Sequence, residues 1–235
     1  MKKIISFAIF LIFFLTNATA QIDHQTMLDA YFTEDFDVWK RAIDATNDAD
    51  TAALKKIVNY EYGYIGLCLG RDRTDEATRY IDKMKTHLQT LEKCGYSATM
   101  LNVYWSALCA FELSMDHWKF ATLGIESVQR ADKAYKAEPN NPFVLSLKGN
   151  TDFYRPSLFG GSKKNAISVY EKAVQQYEAQ QLTMHWNYYA TLLTLAQAYE
   201  KTDNLDRART ICKKLMQVAP NFKYVKETYW PKIKP

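Results

Sequence analysis

The chain has 235 residues, of which 30 are basic and 26 acidic, and the two signs are interleaved to leave a formal net charge of +4. That mixing excludes a basic stripe for nucleic acid and a polybasic run for a membrane surface. With 8 Gly and 6 Pro against 16 Tyr, 12 Phe and 5 Trp, and almost no alternating β-branched stretches, the composition excludes a sheet-rich protein and predicts helices around an aromatic core.

The first element is an export signal. Lys2 and Lys3 open the chain, an apolar run follows from Ile4 to Leu15, and Ala18-Thr19-Ala20 closes it with small residues where a signal peptidase cuts. The run is short for a bilayer span of about 20 residues. Residues 1–20 are therefore expected to leave with the signal, the alternative being an uncleaved anchor, and Gln21 becomes the mature N-terminus. No Cys follows the cut, which argues against a lipoprotein. Loss of Lys2 and Lys3 lowers the formal charge to about +2, too little for binding driven by bulk charge. Residues 21–235 contain no Pro-rich, Ser-rich or single-charge linker and read as one domain, without a membrane span once the signal is gone. A periplasmic or secreted location follows.

Beyond the signal, apolar residues recur at helical spacing and predict about ten helices. Tyr62, Ile65, Gly66 and Leu69 mark one helix, and Ala77, Ile81 and Met84 its partner, with a break at Asp72 to Thr74. After Gly95, a second pair runs from about Tyr104 to Pro139, with a long turn around Asp116 to Leu123. Asn141 before Pro142 is a helix start, since the Asn side chain caps free amides and proline suits the first turn. The third pair carries Leu145 and Gly149, then Ala166, Tyr170 and Ala173, with Phe153 to Gly161 inserted between them. In the last pair, Leu192, Leu195, Ala196, Tyr199, Ala208, Leu215 and Pro220 keep the register of a tetratricopeptide repeat, with Cys212 where an aromatic is usual. Small residues at Ala196 and Ala208 would let the two helices of that pair approach closely. Phe222, Val225 and Tyr229, beyond the break at Pro220-Asn221, predict a capping helix.

These residues resemble tetratricopeptide (TPR) proteins, and more narrowly an exported bacterial group in which a Gly-Gly loop precedes the second helix, as Phe159-Gly160-Gly161-Ser162 does here. Tyr62-Gly63-Tyr64-Ile65-Gly66 and the stretch from Leu195 to Ala208 are similar to that group too, and a similar loop occurs in the periplasmic TPR subunit that accompanies some TRAP-type transporters. The resemblance implies an all-α, right-handed solenoid of antiparallel helix pairs that binds peptides, proteins or small ligands. It brings no catalytic residues, cofactor or metal.

A search for chemistry agrees. The sequence has no G-x-S-x-G, no P-loop and no G-x-G-x-x-G. His24, His87, His117 and His185 lack metal-ligand spacing and read as surface or rim residues. Asp75 and Glu76 begin a helix, where the dipole explains them. Cys68, Cys94, Cys109 and Cys212 show no framework spacing and read as small buried apolar side chains, Cys212 at a core position; the alternative is a disulfide between Cys68 and Cys109, late in the first helices of consecutive pairs.

The expected function is binding rather than catalysis. Helix positions outside the core register, namely Tyr60, Tyr64, Asn102, Trp105, Ser146, Asn150, Leu193 and Gln197, are the candidates for a concave groove that holds a protein or peptide partner of the cell envelope. Trp105 is the strongest anchor among them. Arg155 and Phe159 in the long insertion are further candidates, the alternative being that Phe159 tucks into the core while the glycines permit a tight backbone. A small-ligand-binding accessory of a transport system is the other functional reading. An open groove would favour the protein partner, and an aromatic-lined cavity the small ligand.

Overall fold

The computed structural model describes residues 23–235; the expected export signal lies outside them. Each predicted break is a real one. Asp50 caps α3 (Thr51–Gly70) by accepting from the amides of Ala52 and Ala53. Asp72 and Gly95, both in the left-handed region, end α3 and α4 (Thr74–Lys93). Asn141 accepts from the amides of Phe143 and Val144 at 3.0 and 3.3 Å, with Pro142 opening α7 (Pro142–Tyr154). Ser162 caps α8 (Lys163–Ala179), and Asn204, after the left-handed Asp203, caps α10 (Leu205–Val218).

Among the described residues there are eleven α-helices and no strand. Four antiparallel pairs form the body: α3 with α4, α5 (Ala98–Met115) with α6 (Ile125–Ala137), α7 with α8, and α9 (Trp186–Glu200) with α10. The first helices of the pairs also touch in series, so the pairs stack as in a solenoid. A π-helical turn at Tyr224–Tyr229 and the short α11 (Trp230–Ile233) cover α10, as the capping segment was expected to do.

Close approach is bought by small residues. Ala196 and Ala208 are fully buried between α9 and α10. On α7, a Cβ at Gly149 would stand 2.4 Å from the ring of Tyr170, so only glycine lets α8 lie this near. Tyr170 is fully buried, in the core as its register requires.

The ends of the chain were less legible. Two helices, α1 (His24–Thr33) and α2 (Phe36–Ala45), precede the pairs, and α1 packs against α9 at the far end of the sequence. Trp186 joins them. Its ring meets Trp39 edge-on at 5.1 Å and lies 5.6 Å from Tyr31 and 6.0 Å from Tyr62, while its Nε1 donates to Asn59 Oδ1 at 2.7 Å. Phe222 from the C-terminal segment adds contacts to Tyr31 and Phe32 at 5.2 and 5.4 Å. The stack thus curls until its first and last parts share one aromatic core, and the concave face between them is largely filled.

Candidate mouth cavity

Where the first helices of the four pairs begin, they do not meet completely. Their N-terminal turns surround a cavity of about 710 Å³, within the range of small-molecule sites. Its wall is mostly apolar: Tyr60 of α3, Met100 and Tyr104 of α5, Phe143 of α7, Tyr177 of α8 and Leu182. Asn59 ties the wall together, donating through Nδ2 to the Tyr104 hydroxyl at 3.3 Å while accepting from Trp186.

Polar groups line it as well, among them Asn59, Asn187, Gln180 and the acid Glu138. Lys55 and Lys56 are exposed on one side. His24 and His185 face each other on another, with ring centroids 5.8 Å apart, and His24 Nδ1 shares a hydrogen bond of 2.7 Å with the Tyr60 hydroxyl. Partial burial and the neighbouring His24 hold His185 below the usual imidazole range, so at neutral pH it presents a neutral ring nitrogen. Deeper in, the buried Tyr177 hydroxyl has no hydrogen-bond partner, although it lies by the Ser146–Thr191 hydroxyl pair. A buried hydroxyl left in this state costs about 1–3 kcal/mol and favours a ligand that brings an acceptor.

Of the sequence candidates, only Tyr60 lines this cavity. The others lie elsewhere in the fold. Tyr64 is fully buried between α3 and α4, edge-on to Tyr80 at 4.8 Å, and donates to Glu76 at 2.8 Å. Asn102 is buried and bonds the Ala98 carbonyl of its own helix at 2.7 Å; Ser146 is buried and bonds Pro142 at 2.8 Å. Asn150 accepts from Tyr170 at 2.6 Å and donates to Tyr62 at 3.2 Å. Trp105 is half-buried on the side of α5 that meets α6, beneath the Arg130 guanidinium at 5.8 Å. Leu193 is half-buried against the core and Gln197 half-buried on α9. Neighbouring helices cover these positions: α4 meets Tyr64, α6 meets Trp105, Thr191 of α9 meets Ser146, and Tyr62 and Tyr170 meet Asn150.

The insertion resolves differently from either expectation. Arg155 turns inward to donate to the Gly160 carbonyl at 2.8 Å, and Gly160, at φ 88°, and Gly161, where a Cβ would stand 1.8 Å from the Arg155 carbonyl oxygen, make that turn possible. The tight backbone is present, but Phe159 is not in the core. It is exposed and packs against Phe120 of the preceding insertion, ring centroids 3.9 Å apart.

His87 also departs from expectation. It is completely buried, with Nδ1 2.7 Å from the equally buried Glu61 and Nε2 3.0 Å from Asp48. Glu76 is more than a helix-start carboxylate: burial opposes its charge, yet bonds from Arg73, Tyr64 and Lys40 outweigh that and hold it down to about 2. All four cysteines are free thiols, so Cys68 and Cys109 are not joined.

No family model matches the chain, and no curated protein does. Among solved structures, the HusA haemophore from Porphyromonas gingivalis superposes with a TM-score of 0.56 at 20% identity, covering 76% of this chain and 90% of that one. At this identity the likeness concerns the fold.

Apart from Tyr60, the residues that build the cavity had no sequence signal of their own. His24 and His185 come from opposite ends of the chain, and Lys55, Met100 and Phe143 are the opening turns of separate helices. The one usable cue was the cluster of breakers at Pro139 to Asn141, which lies on the rim.

Proposed function

We propose that the protein is a non-enzymatic binding protein of the cell envelope that holds a flat, largely apolar ligand with acidic substituents in the mouth cavity, and that a haem-type tetrapyrrole is the class it fits best. The observation that carries this reading is the wall itself, which Tyr60, Tyr104 and Phe143 line together with Lys55 and Lys56. A planar ring would stack on the aromatic side chains, and its carboxylates would reach the lysines. His185, neutral and at the rim, is a nitrogen donor for a central iron, with the His24–Tyr60 pair beside it. The shared fold with a protein described as a haemophore supports the same class. A signal at residues 1–20 would place the protein where such a ligand is met.

A protein or peptide partner along the inner helices has less support. It would require Tyr64, Asn102 and Ser146 to leave their internal partners.

Titration with haem and with iron-free protoporphyrin, followed by absorbance and by quenching of tryptophan fluorescence, tests the proposal. Saturable binding of both is expected. Lys55→Ala with Lys56→Ala should weaken each about tenfold, about the value of one lost charged hydrogen bond. His185→Ala should affect haem and leave protoporphyrin unchanged. Absence of saturable binding to either, or a double lysine variant that binds like the parent, would overturn it.

A further inference from the structure

The two long insertions that interrupt the repeat spacing come together at the end of the molecule away from the mouth. The first helices start at the cavity, and α5 and α7 end at Met115 and Tyr154, immediately before the insertions. Eighteen residues of α5 put roughly 27 Å between the two ends. Phe120 and Phe159, in contact at 3.9 Å, join one loop to the other.

From this joint the two most exposed large apolar side chains among the described residues project. Trp118 is 97% and Leu158 87% exposed, with Phe159 at 48% on the second loop and Ile125 at 55% opening α6 just beyond the first. Isolated exposed apolar residues are ordinary, but an indole and a leucine standing almost wholly in water on adjoining loop tips need an apolar partner. Basic side chains flank them. Lys163 and Lys164 follow the Gly-Gly turn, exposed at the start of α8, and Lys119 adjoins Trp118. The acids nearby are engaged: Asp116 with Lys119 at 3.5 Å, and the nearly buried Asp152 with Lys148 at 2.7 Å and Arg155 at 3.6 Å.

We infer that this end is an interfacial membrane anchor that seats the protein on an anionic lipid surface. Shape and charge both select that partner. The apolar groups protrude from two loop tips, and an indole and a leucine can sink about 5–10 Å into a headgroup layer. Tryptophan prefers that layer, and each nearby lysine adds attraction to anionic lipid. Lys163 and Lys164 stand exposed four and five residues beyond Phe159, while Lys119 is paired with Asp116. Seating at this end would leave the mouth facing solution, and the inference stands whether or not the cavity binds a tetrapyrrole.

The test is flotation of the full chain with vesicles of phosphatidylcholine alone or with phosphatidylglycerol added, for the parent and for Trp118→Ala with Leu158→Ser. Both side chains are in solvent, so circular dichroism and thermal unfolding should be unchanged. The parent should float with the anionic vesicles and the double variant at least about a hundredfold less, a loss on the scale of two buried apolar side chains. Tryptophan emission of the parent should shift to the blue on the vesicles, and Trp118→Phe should lose most of that shift. Equal flotation of parent and double variant, or no flotation of the parent, overturns the inference. A parent that ignores vesicles but dimerises, with the double variant monomeric, assigns the patch to a second copy instead.

Discussion

Gly149→Ala adds one methyl group where the structure has no room for it. The new Cβ would lie 2.4, 2.6 and 2.9 Å from Cε1, Cδ1 and Cζ of Tyr170, against an ordinary carbon contact of about 3.5–4.0 Å. Tyr170 is fully buried, so the ring cannot swing out; α7 and α8 must separate by about 1 Å. Overpacking of this kind costs about 1–3 kcal/mol. The Tyr170 hydroxyl would also be drawn from Asn150, which it now meets at 2.6 Å, for about 1 kcal/mol more. Alanine's better helix propensity returns up to about 1 kcal/mol. The net is about 2 kcal/mol, or roughly 4–8 °C in Tm for a chain of this size. Gly66 supplies the control. It too lies inside a helix, but a Cβ there would meet Phe111 at 3.7 and 3.8 Å, an ordinary contact. Gly66→Ala should therefore stabilise by about 0.5–1 kcal/mol. Thermal unfolding of both variants by circular dichroism decides the matter. If Gly149→Ala melts at or above the parent, or if the two alanines shift Tm alike, the assigned contact between α7 and α8 is wrong.

His87 makes stability depend on pH. Burial opposes its charge, yet Glu61 and Asp48 prevail and raise it above the usual imidazole range; the resulting stabilisation is complete below the unfolded value of about 6.5 and is lost as pH rises through the folded one. Urea midpoints of the parent should fall over that rise, whereas Glu61→Gln with His87→Gln should not share the fall, and parallel profiles would count against a charged His87. Trp186→Ala should cost about 3–5 kcal/mol in urea unfolding, because it removes the ring that joins α9 to Trp39, Tyr31 and Tyr62; a loss below about 1 kcal/mol would show that the stack does not depend on this closure. In the reduced native protein an aromatic disulfide reagent should titrate Cys94 alone, since Cys68, Cys109 and Cys212 are buried and burial pushes Cys109 up to about 11 and Cys212 up to about 12. All four should react in denaturant, and rapid reaction of a second thiol without it would refute the assigned burial.

Local order was written in the sequence because it depends on neighbours a few residues apart. The caps at Asp50 and Asn141, the left-handed turns at Asp72 and Asp203, and the small contacts at Ala196 and Ala208 each follow from residue chemistry at short range. Helical periodicity also identified Tyr170, Cys212 and Leu215 as core, and all three are fully buried. Periodicity shows that a helix has an apolar face; it does not say how many neighbours will cover the remaining faces. Tyr64, Asn102 and Ser146 are buried for that reason, although each lies outside the repeat register.

The sequence by itself determined that the described chain is helical, where its helices break, and which positions let paired helices approach. Only the tertiary structure decided that the stack closes on itself, because closure sums small rotations between successive pairs and then depends on one long-range aromatic junction at Trp186, Trp39 and Tyr31. That closure fills the inner face, brings His24 to His185 across roughly two-thirds of the chain, and leaves the mouth as the cavity. It is a property of packing at large sequence separation, to which a local pattern of residues is blind.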